Sequence, residues 1–93
     1  MPAPREFNRR ILLVEDDRQI VDLLVLHLTA EGYEIDAAVD GEAGLLAFEG
    51  GGYGLVILDW NLPTLSGLEV LRAIRARDTR IPVMMLTGRG DEA

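Results

Sequence analysis

The 93-residue chain is long enough for one small domain, since folded domains usually contain about 100–150 residues. A hydrophobic fraction of 48% can build a packed core, which excludes an intrinsically disordered segment. The absence of cysteine excludes disulfides and thiolate metal sites. Sixteen acidic and nine basic residues, all nine of them arginine, give a net charge of −7, which argues against nucleic-acid binding by this segment.

The apolar stretches of the chain are short, far below the ~20 residues that span a bilayer. Residues 1–10 carry no hydrophobic run typical of a secretory signal. We therefore expect a soluble, cytoplasmic protein with no membrane partner. Because residues 1–10 are polar and interrupted by proline, they predict a flexible leader, and residues 11–93 then form the one domain.

Four short segments have the composition of β-strands. Ile11–Val14 and Leu55–Leu58 are apolar at every position, which is typical of parallel strands buried on both faces. Residues 33–39 alternate between apolar and polar side chains, as expected at a sheet edge, and residues 81–86 form a fourth apolar segment.

Helical patterns separate these strands. In the first helix, residues 17–30, apolar side chains at helical spacing predict the buried face: Ile20, Leu23, Leu24 and Leu28, widened by Leu26 and Ala30. Asp40 and Ser66 are suited to cap the second and third helices. Alternating strands and helices predict right-handed crossovers and a doubly wound α/β parallel sheet.

Oxygen-bearing side chains follow three of the predicted strands, where ligands bind in doubly wound sheets. Glu15 and Asp16 follow the first strand, Asp59 follows the third, and Thr87 follows the fourth. If the first and third strands are neighbours, three carboxylates share one crevice and need a cation to offset their repulsion. Carboxylate oxygens without histidine or cysteine favour Mg²⁺, with Mn²⁺ as an alternative. A carboxylate beside such an ion can accept a phosphoryl group, to which Thr87 can donate a hydrogen bond.

The segments ILLVEDD, GGYGLVILDWNLPTLSGLEVL and IPVMMLTG resemble the receiver domains of two-component response regulators, and the middle segment is close to the chemotaxis type. The resemblance extends from Ile11 onward. It implies a flavodoxin-like sheet with strand order 2-1-3-4. It also implies that phosphoryl groups come from a sensor histidine kinase, a phosphotransfer protein or a small-molecule phosphodonor.

The same resemblance assigns roles to residues of this chain. Asp59 would be the phosphoacceptor and Asp16 a direct ligand of Mg²⁺, with Glu15 assisting through water. Asn61 matches the position that offers a backbone carbonyl to the metal, and Thr87 matches the switch hydroxyl. No turnover of an external substrate is expected from such a domain.

The chain departs from this family pattern after its fourth strand. Receiver domains resemble a five-stranded fold of roughly 120 residues, so the resemblance implies a C-terminally truncated receiver without the fifth strand, its lysine or the last helices. The chain contains no lysine at all, so phosphorylation of Asp59 is expected to be slow or undetectable. An uncovered fourth strand or first helix would favour self-association.

Two other functions fit parts of the sequence. The chain could be an interaction fragment that no longer accepts phosphate. It could also be an aspartyl-nucleophile phosphohydrolase, although such enzymes resemble an Asp-x-Asp pattern and the second position here is Asn61. Steady phosphate release would identify the hydrolase. Trp60, next to Asp59, is a built-in fluorescent probe for any of these functions.

Overall fold

A computed structural model describes residues 8–86 as one four-stranded parallel sheet with three helices, in the strand order β2-β1-β3-β4. This confirms the doubly wound α/β prediction and its order. The elements in chain order are β1 (Arg10–Val14), α1 (Arg18–Ala30), β2 (Glu34–Ala38), α2 (Gly41–Gly50), β3 (Leu55–Asp59), α3 (Gly67–Arg77) and β4 (Val83–Leu86).

The two strands that are apolar throughout lie side by side in the middle of the sheet. In β1 and β3, Val14 pairs in register with Leu58, and both side chains are fully buried. Alternate side chains of β1 enter two separate cores, since neighbouring residues of a strand point to opposite faces. Leu12 and Val14 belong to the core that also contains Val70 and Ile74 of α3, and Ile11 and Leu13 belong to the core beneath α1.

The buried face of α1 differs from the face that the sequence predicted. The spacing predicts that Leu23 and Leu26 are buried, yet they are 55% and 66% exposed, and Ile20 is also exposed. The residues that pack against the sheet are Val21, Leu24, Val25 and Leu28. Because apolar side chains surround most of this helix, their spacing alone does not select one face.

The predicted caps of α2 and α3 are confirmed, and α1 begins with a similar cap. Asp17 caps α1 by accepting hydrogen bonds from the first-turn backbone, and Asp40 caps α2 in the same way. Ser66 caps α3 in a reciprocal capping box with Glu69. Gly32, just after α1, has a φ of 96°, a left-handed conformation that glycine adopts without steric cost.

The N-terminal boundary of the sheet lies earlier than the sequence predicted. The sequence predicts a leader that includes Arg10, but Arg10 is the first residue of β1, where it pairs with Glu34. Asn8 also contacts the body of the domain, since its side-chain amide donates to the carbonyl of Gly52 at 3.1 Å. Among residues 8–86, none of the helices has the length and hydropathy that crossing a bilayer requires.

Candidate metal and phosphoacceptor site

Three acidic side chains meet at the carboxyl ends of β1 and β3. The pairing of Val14 with Leu58 sets Glu15 and Asp59 at the same level of the sheet, and Asp16 follows directly. Each of the three offers a carboxylate oxygen, and these oxygens all lie within 4.8 Å of one another. The structure thus brings together the three carboxylates that the sequence singled out.

Glu15 is the most confined of the three carboxylates, with only 2% of the residue exposed. Its backbone N–H donates to the carbonyl of Ala38 on β2 at 3.0 Å, and its Oε2 accepts from the backbone N–H of Asp17 at 2.9 Å. Burial raises the pKa of Glu15, and the negative charges of Asp59 and Asp16 raise it further, against the lowering effect of the Asp17 N–H. The charged form of Glu15 is therefore less favourable in the protein alone than in a free glutamate.

This cluster fits a hard divalent cation. A buried carboxylate facing two others loses its repulsion when a positive charge lies between them. The described residues of the cluster supply oxygen ligands and no nitrogen or sulfur, which is the donor set that Mg²⁺ prefers. An approach from solvent remains, because Asp16 is exposed and Asp59 is half-buried.

The backbone just after Asp59 is fixed on two sides. The Trp60 N–H donates to the carbonyl of Leu86 at 3.2 Å, and the Trp60 carbonyl accepts from the N–H of Gly67 at 2.9 Å. Gly67 lies so close that a Cβ there would overlap the Asp59 carbonyl oxygen. This close approach, which the glycine permits, holds the start of α3 against the end of β3.

The other two predicted site residues, Asn61 and Thr87, are not part of this carboxylate cluster. Asn61 follows the anchored backbone of Trp60 and is exposed, in the loop between β3 and α3. Thr87 lies outside the described residues, so its role as a switch hydroxyl stays a prediction. Trp60 is 45% exposed beside the cluster, which suits it to report binding events there.

Sequence reasoning missed the residue that holds this loop from the other side. Thr64 has a φ of 68°, and its hydroxyl contacts the first turn of α2. A threonine gives no sequence signal for a left-handed backbone, because β-branched residues rarely adopt it. The carbonyl of the neighbouring Pro63 also contacts α2, where it accepts from the N–H of Gly41 at 3.0 Å.

Fold and site together define a doubly wound α/β domain that gathers carboxylates where the strand order reverses, the usual ligand position of such sheets. Residues 11–93 match the family model described as the response regulator receiver domain. The chain belongs to the family of response regulator receiver domains.

Curated relatives include regulators from two bacteria. The uncharacterized transcriptional regulatory protein YkoG of Bacillus subtilis is 51% identical over 79 residues, which are 85% of this chain and 35% of the relative. The transcriptional regulatory protein TcrA of Mycobacterium tuberculosis is 43% identical over 81 residues, 87% of this chain and 32% of the relative. The chain spans about a third of the length of these curated relatives.

Solved structures agree with the family. The response regulator protein TrrA of Thermotoga maritima, in complex with Mg²⁺ and BeF, is 45% identical with a TM-score of 0.84, over 88% of this chain and 71% of that chain. TrrA in complex with the histidine kinase ThkA matches with a TM-score of 0.80 and 45% identity, over 89% of this chain and 75% of that chain.

Proposed function

We propose that this chain is a phosphoacceptor module of two-component signalling, with Asp59 as the residue that receives the phosphoryl group. Asp16 and Asp59 would contact Mg²⁺, Glu15 would assist, and the Asn61 carbonyl would complete the protein ligands. Thr87 would donate its hydroxyl to a phosphoryl oxygen. The convergence of three carboxylates from β1 and β3 is the observation that carries this proposal.

The proposed step is one displacement at phosphorus. A carboxylate oxygen of Asp59 forms a P–O bond while the P–N bond of a phosphohistidine breaks, and the electron pair returns to the imidazole nitrogen, which takes up a proton. Mg²⁺ would offset the repulsion between carboxylate and phosphoryl oxygens. Glu15 and Asp16, which directly follow β1, would hold the ion, and Asp59 at the end of β3 would present its carboxylate to the phosphorus on the solvent-accessible side of the site.

The partner that fits this chemistry is a histidine kinase or a phosphotransfer protein, with the exchange taking place in the cytoplasm. The similarity to TrrA, solved in complex with the histidine kinase ThkA, supports this choice. Relatives named transcriptional regulatory proteins are longer than this chain and support an output in gene regulation. With a net charge of −7, this segment is not the part that would bind DNA.

The 93-residue chain is proposed to accept phosphate slowly when it is assayed alone. It contains no lysine, so no lysine ammonium group within it can stabilise the charge that develops on the transferring group. We propose that this chain is itself the acceptor of the phosphoryl group and does not turn over an external substrate. Steady release of inorganic phosphate from a phosphomonoester would instead favour a phosphohydrolase.

Self-association of the 93-residue chain is also proposed. On α1, Leu23 and Leu26 lie on an exposed apolar surface, and on β4 Met84 is 53% exposed. Such surfaces favour contact with a second copy. Sedimentation at low micromolar concentration is expected to detect dimers or larger species, and a monomer alone would contradict this expectation.

Titration with Mg²⁺ tests the proposed site. Trp60 fluorescence is expected to change with saturation, and the change should disappear in Asp16→Asn and in Asp59→Asn. Asp22→Asn, an exposed carboxylate on α1, is the matched control and should titrate like the unchanged chain. An undiminished response in the two site variants would place the ion elsewhere.

Incubation with a small acyl phosphate, followed by measurement of the intact mass, tests phosphorylation. A phosphoryl adduct that persists in Asp59→Asn would refute Asp59 as the acceptor.

A further inference from the structure

The loop between β3 and α3 is fastened to the first turn of α2. The carbonyl of Pro63 accepts from the N–H of Gly41 at 3.0 Å, and the hydroxyl oxygen of Thr64 accepts from the N–H of Glu42 at 3.0 Å. The same hydroxyl donates to Oδ1 of Asp40 at 3.4 Å. We call these contacts of residues 63–64 with residues 40–42 the α2 clasp.

The α2 clasp is held in spite of an unfavourable backbone. Thr64 has a φ of 68°, a conformation that suits glycine or asparagine far better than a β-branched residue. Glycine would relieve this strain but would remove the hydroxyl that meets both Asp40 and Glu42. The threonine hydroxyl therefore makes contacts that glycine, although better suited to this backbone conformation, could not make.

The clasp and the anchored end of β3 enclose a very short segment. Trp60 is fixed by backbone hydrogen bonds at both its N–H and its carbonyl, and Pro63 is fixed by its carbonyl. Only Asn61 and Leu62 lie between these anchors, and Leu62 packs against the core between the sheet and α3. The Asn61 backbone thus has little freedom to rotate.

We infer that Thr64 is a positioning residue: its clasp onto α2 sets the Asn61 carbonyl toward the cation of the acidic cluster. This inference rests on the proposed function, since it assumes an ion held by Glu15, Asp16 and Asp59. Thr64 does not touch the ion. It acts by fixing the loop that carries one ligand, as outer partners of metal ligands generally do.

Close packing at Gly41, beside the α2 clasp, offers a second way to displace the loop that carries Asn61. Gly41, the first residue of α2, is buried, and a Cβ there would overlap the carbonyl oxygen of Leu65. Gly41→Ala would push the loop away from α2 without changing Thr64. A loop displaced in this way should carry the Asn61 carbonyl out of place as well.

Three substitutions of Thr64 separate positioning from simple stability. Thr64→Val keeps the shape and the strained backbone but removes the hydroxyl. Thr64→Gly removes the hydroxyl and relieves the strain, and Thr64→Ser keeps the hydroxyl. We expect Mg²⁺ affinity, measured by Trp60 fluorescence and by calorimetry, to fall about 10-fold in the valine and glycine variants. The serine variant should bind like the unchanged chain.

Unfolding in urea supplies the second measurement. Thr64→Gly should be no less stable than the unchanged chain, so its weaker Mg²⁺ binding cannot come from general destabilisation. Asp78→Ala is the control. Asp78 accepts from the N–H groups of Arg80 and Ile81 just before β4, at the amino end of this strand, whereas the cluster lies at the carboxyl ends of β1 and β3. It should lower stability and leave Mg²⁺ affinity unchanged.

The outcomes distinguish this inference from the proposed function. Unchanged Mg²⁺ affinity in both Thr64→Val and Thr64→Gly would overturn the positioning role, while leaving the acidic cluster as the metal site. An equal loss of affinity in Asp78→Ala would also overturn it, because affinity would then follow stability. If Mg²⁺ binding to the unchanged chain does not depend on Asp16 and Asp59, the proposed site fails and this inference fails with it.

Discussion

Arg10 and Asp36 form an ion pair between β1 and β2, with Nη2 and Oδ2 separated by 2.9 Å. The hydroxyl of Tyr53 donates to the same oxygen at 2.7 Å, and the Arg10 guanidinium lies 4.6 Å from the centre of the Tyr53 ring. Arg10 also donates to the carbonyls of Gly51 and Gly52. These contacts secure the loop after α2 near the amino ends of β1 and β3, whereas the acidic cluster lies at their carboxyl ends.

The Asp36 contacts make stability depend on pH. The hydrogen bond from Tyr53, and after it the one from Arg10, lowers the pKa of Asp36 below its ordinary value of 3.8. A lowered pKa in the folded state adds stability above pH 3.8, and this stability is lost as the pH falls through the folded value. In urea unfolding, Asp36→Asn should be less stable than the unchanged chain at pH 7, and the difference should shrink below about pH 4. A difference that stays constant down to pH 3, or one that Asp22→Asn reproduces, would contradict this assignment.

Glu15 is expected to behave in the opposite way. Burial raises its pKa above the ordinary value of 4.5, so in the absence of metal the stability of the fold declines as the pH rises from 4.5 through the folded value. Glu15→Gln removes the charge, and its side-chain oxygen can still accept from the Asp17 N–H. Without Mg²⁺ this variant should resist urea better at pH 7 than the unchanged chain, and with Mg²⁺ it should lose that advantage. Glu31→Gln, an exposed position, is the control, and a Glu15→Gln variant that is less stable in chelator would refute the idea.

Gly44 of α2 is a site of close packing against β1. A Cβ at Gly44 would lie 2.8 Å from both methyl carbons of Val14, a buried residue, whereas a Cβ at Gly50 would meet nothing within 4 Å. Gly44→Ala should therefore lower the free energy of unfolding by about 1–3 kcal/mol through overpacking. Gly50→Ala should raise it by up to ~1 kcal/mol, because alanine favours the helix. Equal effects of the two substitutions in urea would exclude this packing explanation.

The capping box of α3 offers a fourth test. Ser66 Oγ accepts from the N–H of Glu69 at 3.2 Å, and the Glu69 side chain accepts from the N–H of Ser66 at 2.9 Å. Ser66→Ala should cost about 1 kcal/mol of stability, measured by thermal unfolding. Ser66→Asp keeps a capping oxygen and should recover most of this loss. Failure of aspartate to recover it would assign the effect to something other than the cap.

Much of the fold could be read from the sequence where one local rule dominates. The uninterrupted apolar segments gave β1 and β3, since only a strand covered on both faces needs apolar residues at every position. Asp17, Asp40 and Ser66 marked the helix starts, because their side chains satisfy backbone N–H groups that have no other partner. The acidic cluster followed from the same strands, once their neighbouring positions were known.

Other features depend on contacts between distant segments and have no local signal. The buried face of α1 could not be chosen because Leu23 is as apolar as Leu24, and only packing against the sheet separates the two. The polar neighbours of Arg10 indicate a leader, because its partners Asp36 and Tyr53 lie far along the chain and give no local signal. The left-handed backbone of Thr64 also has no local signal, because the contact that accompanies it is with α2, which is distant in sequence.

The strand order places the proposed cation site between two parts of the sheet that are joined by a long connection. β1 and β2 are joined through a single helix, as are β3 and β4, whereas β1 meets β3 only after a helix, a strand and another helix have intervened. Closing that longer loop costs more chain entropy. Glu15 and Asp16 belong to one half of the sheet and Asp59 to the other, so an ion bound there bridges the seam between the halves. Such an ion would link the two halves and, by mass action, would stabilise the folded state more as its concentration rises.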